Sequence, residues 1–303
     1  MSTDSRPLVG FVGLGAMGWP MASCLVKAGF TVAPHDVRAD VVERFLTEVG
    51  GKRVASLPAL GGVADVLITI LPTSAIVGEV LFGPDGVAGG LRSGAVVVDM
   101  TSGIPAETVR FGETLARQGV TLFDAPVSGG VARAKTGQLT IMAGGDTAAI
   151  EASLPVLQAM GSVICTGPIG SGHAMKALNN LVSAGGFLIG IEALLIGARF
   201  GIDAGTMVDV LNTSTGMNNS TQKKFKQFVL SRAFDSGFSL ELMVKDLSIA
   251  LEVARAGRVS APFAALCREL WAGASRVLGP QADHTALAQF CEQLAGFELR
   301  DQQ

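Results

Sequence analysis

The chain has 303 residues, 49% hydrophobic and 16% charged, with 23 Lys and Arg against 26 Asp and Glu for a formal charge of -3. That balance provides no basic face for a nucleic-acid backbone, and the length accommodates about two domains with a core in each. Cys24, Cys165, Cys267 and Cys291 form no CxxC pair, and His35, His173 and His284 lack ligand spacing, so neither a disulfide framework nor a metal site is expected. Residues Met1 to Pro7 are polar and short, without the basic and apolar regions of a signal peptide, so a cytoplasmic location is expected.

Leu8–Gly13 (LVGFVG) is an apolar run ending in glycine and reads as a buried strand, followed by a helix over Met17 to Ala28. Between them Gly13, Leu14, Gly15, Ala16, Met17 and Gly18 match GxGxxG in the strand-to-helix context that motif requires. Gly13 makes the tight turn, Gly15 lets a pyrophosphate approach the backbone, and Gly18 lets helix and strand pack closely. The helix amides and dipole then face the phosphates of a dinucleotide. A second strand, Phe30–Pro34, leads to Asp36, 18 residues past Gly18. A carboxylate there accepts from ribose hydroxyls and repels a 2′-phosphate, which favours NAD. Arg38 beside it keeps NADP open, and Asp36 as a plain turn residue is the alternative.

A helix is expected over Ala39–Val49, then strands at Val66–Leu71, Ala95–Asp99, Thr121–Ala125 and Leu139–Ala143. Strands spaced by helical segments imply βα crossovers and a mostly parallel sheet. Leu71-Pro72 and Asp99-Met100-Thr101-Ser102 each follow a strand, where ligands bind in such sheets, and read either as lining a cofactor cleft or as ordinary loops. Ser128 with the amides of Gly129 and Gly130 reads either as a nest for a carboxylate or as an ordinary turn. Pro155 to Gly172, rich in stopping residues, reads as a transition.

Beyond about Gly170 the texture becomes helical: Lys176–Phe200, Ala204–Leu211, Thr221–Leu230, Leu240–Ala256, Ala261–Leu278 and Asp283–Leu294. Leu178 to Ala198 has Glu192 as its one charge, long enough for a bilayer, but it reads as a buried central helix because no flanking basic run or second span accompanies it. Lys176 enters this apolar helix, and Asn179 and Asn180 follow one turn on. Lysine is rarely buried without a partner or a function, and desolvation would lower its pKa toward about 7–8, where it shuttles protons. A solvent-facing lysine at a helix start is the alternative. Lys245-Asp246 interrupts a later apolar helix and reads as a solvated stripe, with Glu241 as a surface partner. No GxSxG elbow occurs.

Five segments carry a resemblance: Gly10–Ala22 (GFVGLGAMGWPMA), Asp99–Pro105 (DMTSGIP), Asp124–Gly130 (DAPVSGG), Gly170–Asn180 (GSGHAMKALNN) and Lys245–Leu247 (KDL). In this order and spacing the chain resembles the β-hydroxyacid dehydrogenase family over about residues 8 to 290. The resemblance implies an α/β Rossmann-type domain, residues 1–168, followed by an all-α domain like the carboxyl-terminal one of 6-phosphogluconate dehydrogenase, residues 169–303. It implies that Lys176 is the general acid/base, that Ser128, Gly129 and Gly130 hold the substrate carboxylate, and that Asn180, with Asn179, orients the substrate. Thr101 would lie beside the substrate and Ser102 beside the nicotinamide. Lys245 would approach the cofactor, and Asp246 would support it. The implied reaction is reversible oxidation of a small β-hydroxy acid, 3-hydroxyisobutyrate-like, with NAD and no metal, in a homodimer or homotetramer that binds neither nucleic acid nor membrane. An NADPH-dependent semialdehyde reductase and a non-catalytic dinucleotide-binding module are the alternatives. Imine-reducing relatives usually replace the lysine that this chain keeps. The chain departs from the family's usual DxSA at Asp283-His284-Thr285-Ala286, and Met217, Asn218 and Asn219 fall in a variable substrate-facing segment.

Overall fold

A computed structural model describes residues 6–300, and the chain divides into two compact units, one up to Lys176 and one from Ala177.

The first unit alternates strands and helices. In order it contains β1 (Val9–Val12), α1 (Gly18–Lys27), β2 (Val32–His35), α2 (Ala39–Glu48), α3 (Leu57–Val63), β3 (Val66–Thr69), α4 (Ser74–Phe82), β4 (Val96–Asp99), α5 (Pro105–Ala116), β5 (Thr121–Asp124), β6 (Val127–Ser128), α6 (Gly130–Lys135), β7 (Leu139–Gly144), α7 (Thr147–Gln158) and β8 (Gly161–Gly167). Among the described residues the sheet has eight strands in the order β2-β1-β3-β4-β5-β7-β6, with β8 on β7. The first five strands pair in parallel, and β7 runs antiparallel to β5 and β6 and parallel to β8. The expected parallel core is present, and strand β1 stands where the order reverses. Apolar runs build it because helices cover both faces: β1 and β3 are buried along their whole length. Phe11, Met21, Leu25 and Phe45 pack on one side, and Leu67, Leu81, Val97 and Leu115 on the other.

The stretch Pro155 to Gly172 is not a mere transition. It contains the end of α7 and all of β8. Helices α3 to α7 and strand β6 also escaped the sequence reading. Ser56, Thr73 and Asp146 cap α3, α4 and α7 by accepting from backbone N–H groups three residues on. These caps start helices whose apolar pattern is short or broken by glycine and proline.

The second unit is helical. A single helix, α8 (Ser171–Phe200), leads into it, followed by α9 (Ala204–Asn212), α10 (Asn219–Lys223), α11 (Leu240–Ala256), α12 (Pro262–Leu278) and α13 (Leu287–Ala295). The helix expected over Thr221–Leu230 is two pieces. Asn218 starts α10 early through a capping box with Thr221, and the chain then widens into a π turn, Phe225–Leu230. Helix α8 is long and apolar enough to cross a membrane by length and composition, and 44% of its most apolar window is buried in the protein. Val182, Ile189, Ile196 and Phe200 leave an exposed apolar stripe along it.

The core of this unit centres on Phe187, Phe225 and Trp271, whose rings meet at 5.4 and 5.9 Å around Phe187. His284 stacks on Trp271 at 6.2 Å, and its Nδ1 contacts Ser236 Oγ at 3.0 Å and the Phe238 carbonyl at 3.2 Å. Burial pushes the His284 pKa down to about 4, with the charge of Lys224 acting in the same direction. The unfolded chain therefore takes up this proton near the ordinary value of 6.5 while the native state resists until about 4. Stability is full above pH 6.5 and should fall by about 3 kcal/mol in total as the pH drops to about 4. Denaturant unfolding across that range checks this. His284→Phe keeps the aromatic stack and should flatten that segment of the profile, whatever it does to stability at pH 7.

Candidate functional site

In the first unit the candidate residues gather at the carboxyl ends of β1, β3 and β4, the position at which parallel sheets of this kind bind ligands. Gly13 has φ +101°, and a Cβ on it would meet the Ile70 carbonyl at 2.3 Å. A Cβ on Gly18 would lie 1.9 Å from the Gly13 carbonyl. Around Gly15, by contrast, nothing lies within 4 Å of where a Cβ would be, and Gly15 and Ala16 are exposed. Leu14 is buried and Met17 half-buried. No side chain caps the amino terminus of α1. Two glycines are thus required by the protein itself, while Gly15 opens onto space in front of an uncapped helix end. These features fit the pyrophosphate of a dinucleotide.

Asp36 is tied into this turn. Its Oδ2 accepts from the Leu14 N–H at 2.8 Å and its Oδ1 from the Arg38 N–H at 3.0 Å, with the Arg38 guanidinium at 3.5 Å. The carboxylate therefore holds the glycine turn to the end of β2, a role that spacing alone did not reveal. A second network ties β3 to β4. Asp99 Oδ1 accepts from Thr69 Oγ1 at 2.9 Å and from the Thr101 N–H at 3.0 Å, and Thr101 Oγ1 accepts from the Leu71 N–H at 3.0 Å. Thr101 is fully buried, so its hydroxyl is engaged in holding the two loops together. Ser102 and Leu71 are half-buried and Pro72 is exposed.

Ser128 and Gly129 are half-buried, and Gly130 is exposed at the start of α6; both glycines have positive φ, +134° and +67°. The same motif begins with Asp124, which sequence reading passed over. Its carboxylate is fully buried and accepts from the Gly170 N–H at 2.6 Å and the His173 N–H at 2.7 Å, anchoring the start of α8. Burial raises its pKa, against the lowering effects of His173 and these amides. A Cβ on Gly172 would lie 2.2 Å from the Met142 carbonyl and 2.8 Å from Asp124 Oδ2, so the helix approaches the sheet this closely only with glycine there. His173 is also buried, with Nδ1 2.8 Å from Thr108 Oγ1 and Nε2 3.8 Å from Asp99 Oδ2. Lys176 follows in the second turn of the helix so anchored and is half-buried. It is not at the helix start, because α8 begins at Ser171.

In the second unit Asn180 is buried and donates from Nδ2 to Asp246 Oδ2 at 2.5 Å, while its Oδ1 accepts from Asn179 at 3.2 Å. Lys245 Nζ lies 3.2 Å from Asp246 Oδ1. Asp246 is 1% exposed, so Lys245-Asp246 is no solvated stripe: the carboxylate is the buried junction between α8 and α11. Glu241 accepts from Gln281 instead of marking a plain surface pair. In the variable segment Met217 is exposed, whereas Asn218 Oδ1 accepts from the Ser220 and Thr221 N–H groups as a helix cap. Among the described residues no cluster of three or more His, Cys, Asp or Glu is arranged to hold a metal.

A mostly parallel sheet with this turn at its reversal point, followed by a helical unit, has the form of a dinucleotide-binding protein, and the comparisons make it an NAD(P)-dependent oxidoreductase. The family model for the NAD binding domain of 6-phosphogluconate dehydrogenase matches residues 8–170, and the model for NAD-binding of NADP-dependent 3-hydroxyisobutyrate dehydrogenase matches 170–291. The chain is 35% identical to 2-(hydroxymethyl)glutarate dehydrogenase of Eubacterium barkeri, covering 96% of this chain and 97% of that one. It is 33% identical to 2-hydroxy-3-oxopropionate reductase of Escherichia coli, covering 96% and 99%. The solved structure of Mycobacterium tuberculosis 3-hydroxyisobutyrate dehydrogenase with L-serine is similar at a TM-score of 0.86 and 28% identity, over 95% of this chain and 99% of that one. The chain belongs to the β-hydroxyacid dehydrogenase family, within its 3-hydroxyisobutyrate dehydrogenase-like group.

Proposed function

We propose that this protein reversibly oxidises a small β-hydroxy acid of the 3-hydroxyisobutyrate type to its semialdehyde, with NAD as hydride acceptor. The observation that carries the reading is the pairing of an open Gly15 turn with a lysine, Lys176, on a helix anchored by the buried Asp124. The substrates in the names of the relatives support it, since each carries a carboxylate and an oxygen on the carbon two atoms away. NAD, when bound, supplies the hydride-accepting ring. Gly13 to Gly18 would hold its pyrophosphate, with Leu71, Pro72, Ser102 and Lys245 assigned to the rest of the cofactor.

Ser128 and the amides of Gly129 and Gly130 would hold the substrate carboxylate, and Asn180 its hydroxyl, with Asn179 and Thr101 supporting. Lys176, in neutral form, accepts the hydroxyl proton at Nζ as the carbon loses hydride, and returns it in the reductive direction. Asp36 favours NAD by its negative charge at the end of β2. The exposed Arg38 guanidinium favours a second reading, an NADPH-dependent semialdehyde reductase.

Steady-state rates with 3-hydroxyisobutyrate, glycerate, threonate and 3-hydroxypropionate, with NAD and NADP in parallel, test both readings. We expect turnover of at least one acid and a higher kcat/KM with NAD. A preference for NADP moves the assignment to the second reading, and no turnover of any β-hydroxy acid with either cofactor removes the first.

A further inference from the structure

Along α8 the polar residues of the second unit continue beyond Asn180. Ser183 comes three residues later, about 4.5 Å of helix rise. Its Oγ accepts from Lys224 Nζ at 3.3 Å, and that ammonium also lies 5.9 Å from the centre of the Phe187 ring. The backbone departs from regular helix at Lys224 itself, with φ -130° and ψ -44°, and runs from there into the π turn. Such turns interrupt helices most often where a side chain is needed in a particular place.

Burial pushes the Lys224 pKa down to about 8, against the opposing influence of Asp283. Asp283 is engaged elsewhere: it accepts from Ser236, Gly237, Phe238 and Thr285. Lys224 is thus a largely desolvated cation with one hydrogen bond and no ion pair among the described residues. A charge in that state costs stability unless an anion arrives to meet it.

We propose that Lys224, seated on Ser183, determines which side chain the substrate carries, selecting β-hydroxy acids with a second carboxylate at the end of a two-carbon arm on C2. The inference rests on the reaction proposed above and specifies its substrate. With the hydroxyl end of the substrate at Asn180, an arm on C2 that runs along α8 toward its carboxyl end comes next to Ser183 and the Lys224 ammonium bound to it. The ammonium and the Ser183 hydroxyl then offer a charge-assisted site to the far oxygens. An uncharged arm leaves the ammonium desolvated and unpaired, so discrimination comes from a penalty on the wrong acid as well as from attraction to the right one.

Two acids that share a reacting frame test this. At C2, 3-hydroxyisobutyrate carries a methyl group and 2-(hydroxymethyl)glutarate a carboxyethyl group. The wild-type protein should show the higher kcat/KM with the dicarboxylate. Lys224→Met should lower the ratio of the two kcat/KM values about 30-fold or more, chiefly through KM of the dicarboxylate, and Lys224→Arg should keep most of it. Ser183→Ala should move the ratio in the same direction by less. A wild-type preference for 3-hydroxyisobutyrate, or a ratio that Lys224→Met shifts less than about threefold, overturns the proposal. Oxidation of another β-hydroxy acid but of neither of these overturns the proposal; should the wild-type protein oxidise no β-hydroxy acid at all, the reaction itself is wrong, and calorimetric titration with glutarate then decides about the lysine. Glutarate binding that disappears in Lys224→Met sustains Lys224 as an anion site, and equal binding in both proteins removes it.

Discussion

Lys176→Ala should lower kcat by about 10²- to 10⁴-fold, the usual contribution of a positioned acid/base, while the Kd for NAD changes little. The separation follows from where the parts sit. The glycine turn belongs to β1 and α1, whereas Lys176 projects from the second turn of α8. Removing the amine leaves Asp124 bound to the Gly170 and His173 amides, so the start of the helix should persist and the melting temperature should move little. Fluorescence titration of the cofactor and pre-steady-state turnover measure the two effects independently. Turnover equal to wild type would remove Lys176 from the chemistry. An equal loss of cofactor binding and turnover would mean that it acts by holding the structure.

The second large effect divides the glycines of one turn. Gly18→Ala places a methyl group 1.9 Å from the Gly13 carbonyl, a backbone group, with the Ile70 side chain at 3.1 Å beside it. It should destabilise the protein by about 2–4 kcal/mol, as forced overpacking does, and weaken cofactor binding with it. Gly15→Ala meets no atom within 4 Å, so its melting temperature should stay close to wild type. Its dissociation constant for NAD should nevertheless rise about tenfold or more, because the added methyl occupies the approach of the pyrophosphate. Thermal melts and cofactor titration of the two variants check the contrast. A Gly15→Ala protein that binds NAD as well as wild type would exclude this turn as the pyrophosphate site.

Much of the first unit was legible in the sequence. Strands buried on both faces announce themselves as apolar runs, and β1, β3, β4 and β5 lie within a few residues of their expected bounds. Strand β8 was missed because it reads GSVICTG: it pairs only with β7, most of it is exposed or half-buried, and it shows no continuous apolar run. Helix α7 carries Pro155 in its interior, which reads locally as a stop. Helix α3 has two glycines in seven residues and is held by the Ser56 cap and by Gly61 fitting against the Val87 carbonyl. None of these has a periodicity strong enough to be recognised apart from its neighbours.

By itself the sequence determined the features that depend on nearest neighbours along the chain: the apolar strands, the GxGxxG turn, the helical texture beyond Gly170, and through its five segments the family. Only the tertiary structure decided which polar groups lose water, since that depends on what packs against them from far along the chain. Asp124 meets amides 46 and 49 residues away, and Asn180 meets Asp246 across 66. Lys245-Asp246 looked like a surface stripe until α8 covered the carboxylate. Lys224 and His284 carried no local signal, yet burial changes their proton affinities more than any neighbour in the sequence does. Desolvation is a property of the assembled interior, which is why the turn for the cofactor could be read in advance and the charge proposed to select the substrate could not.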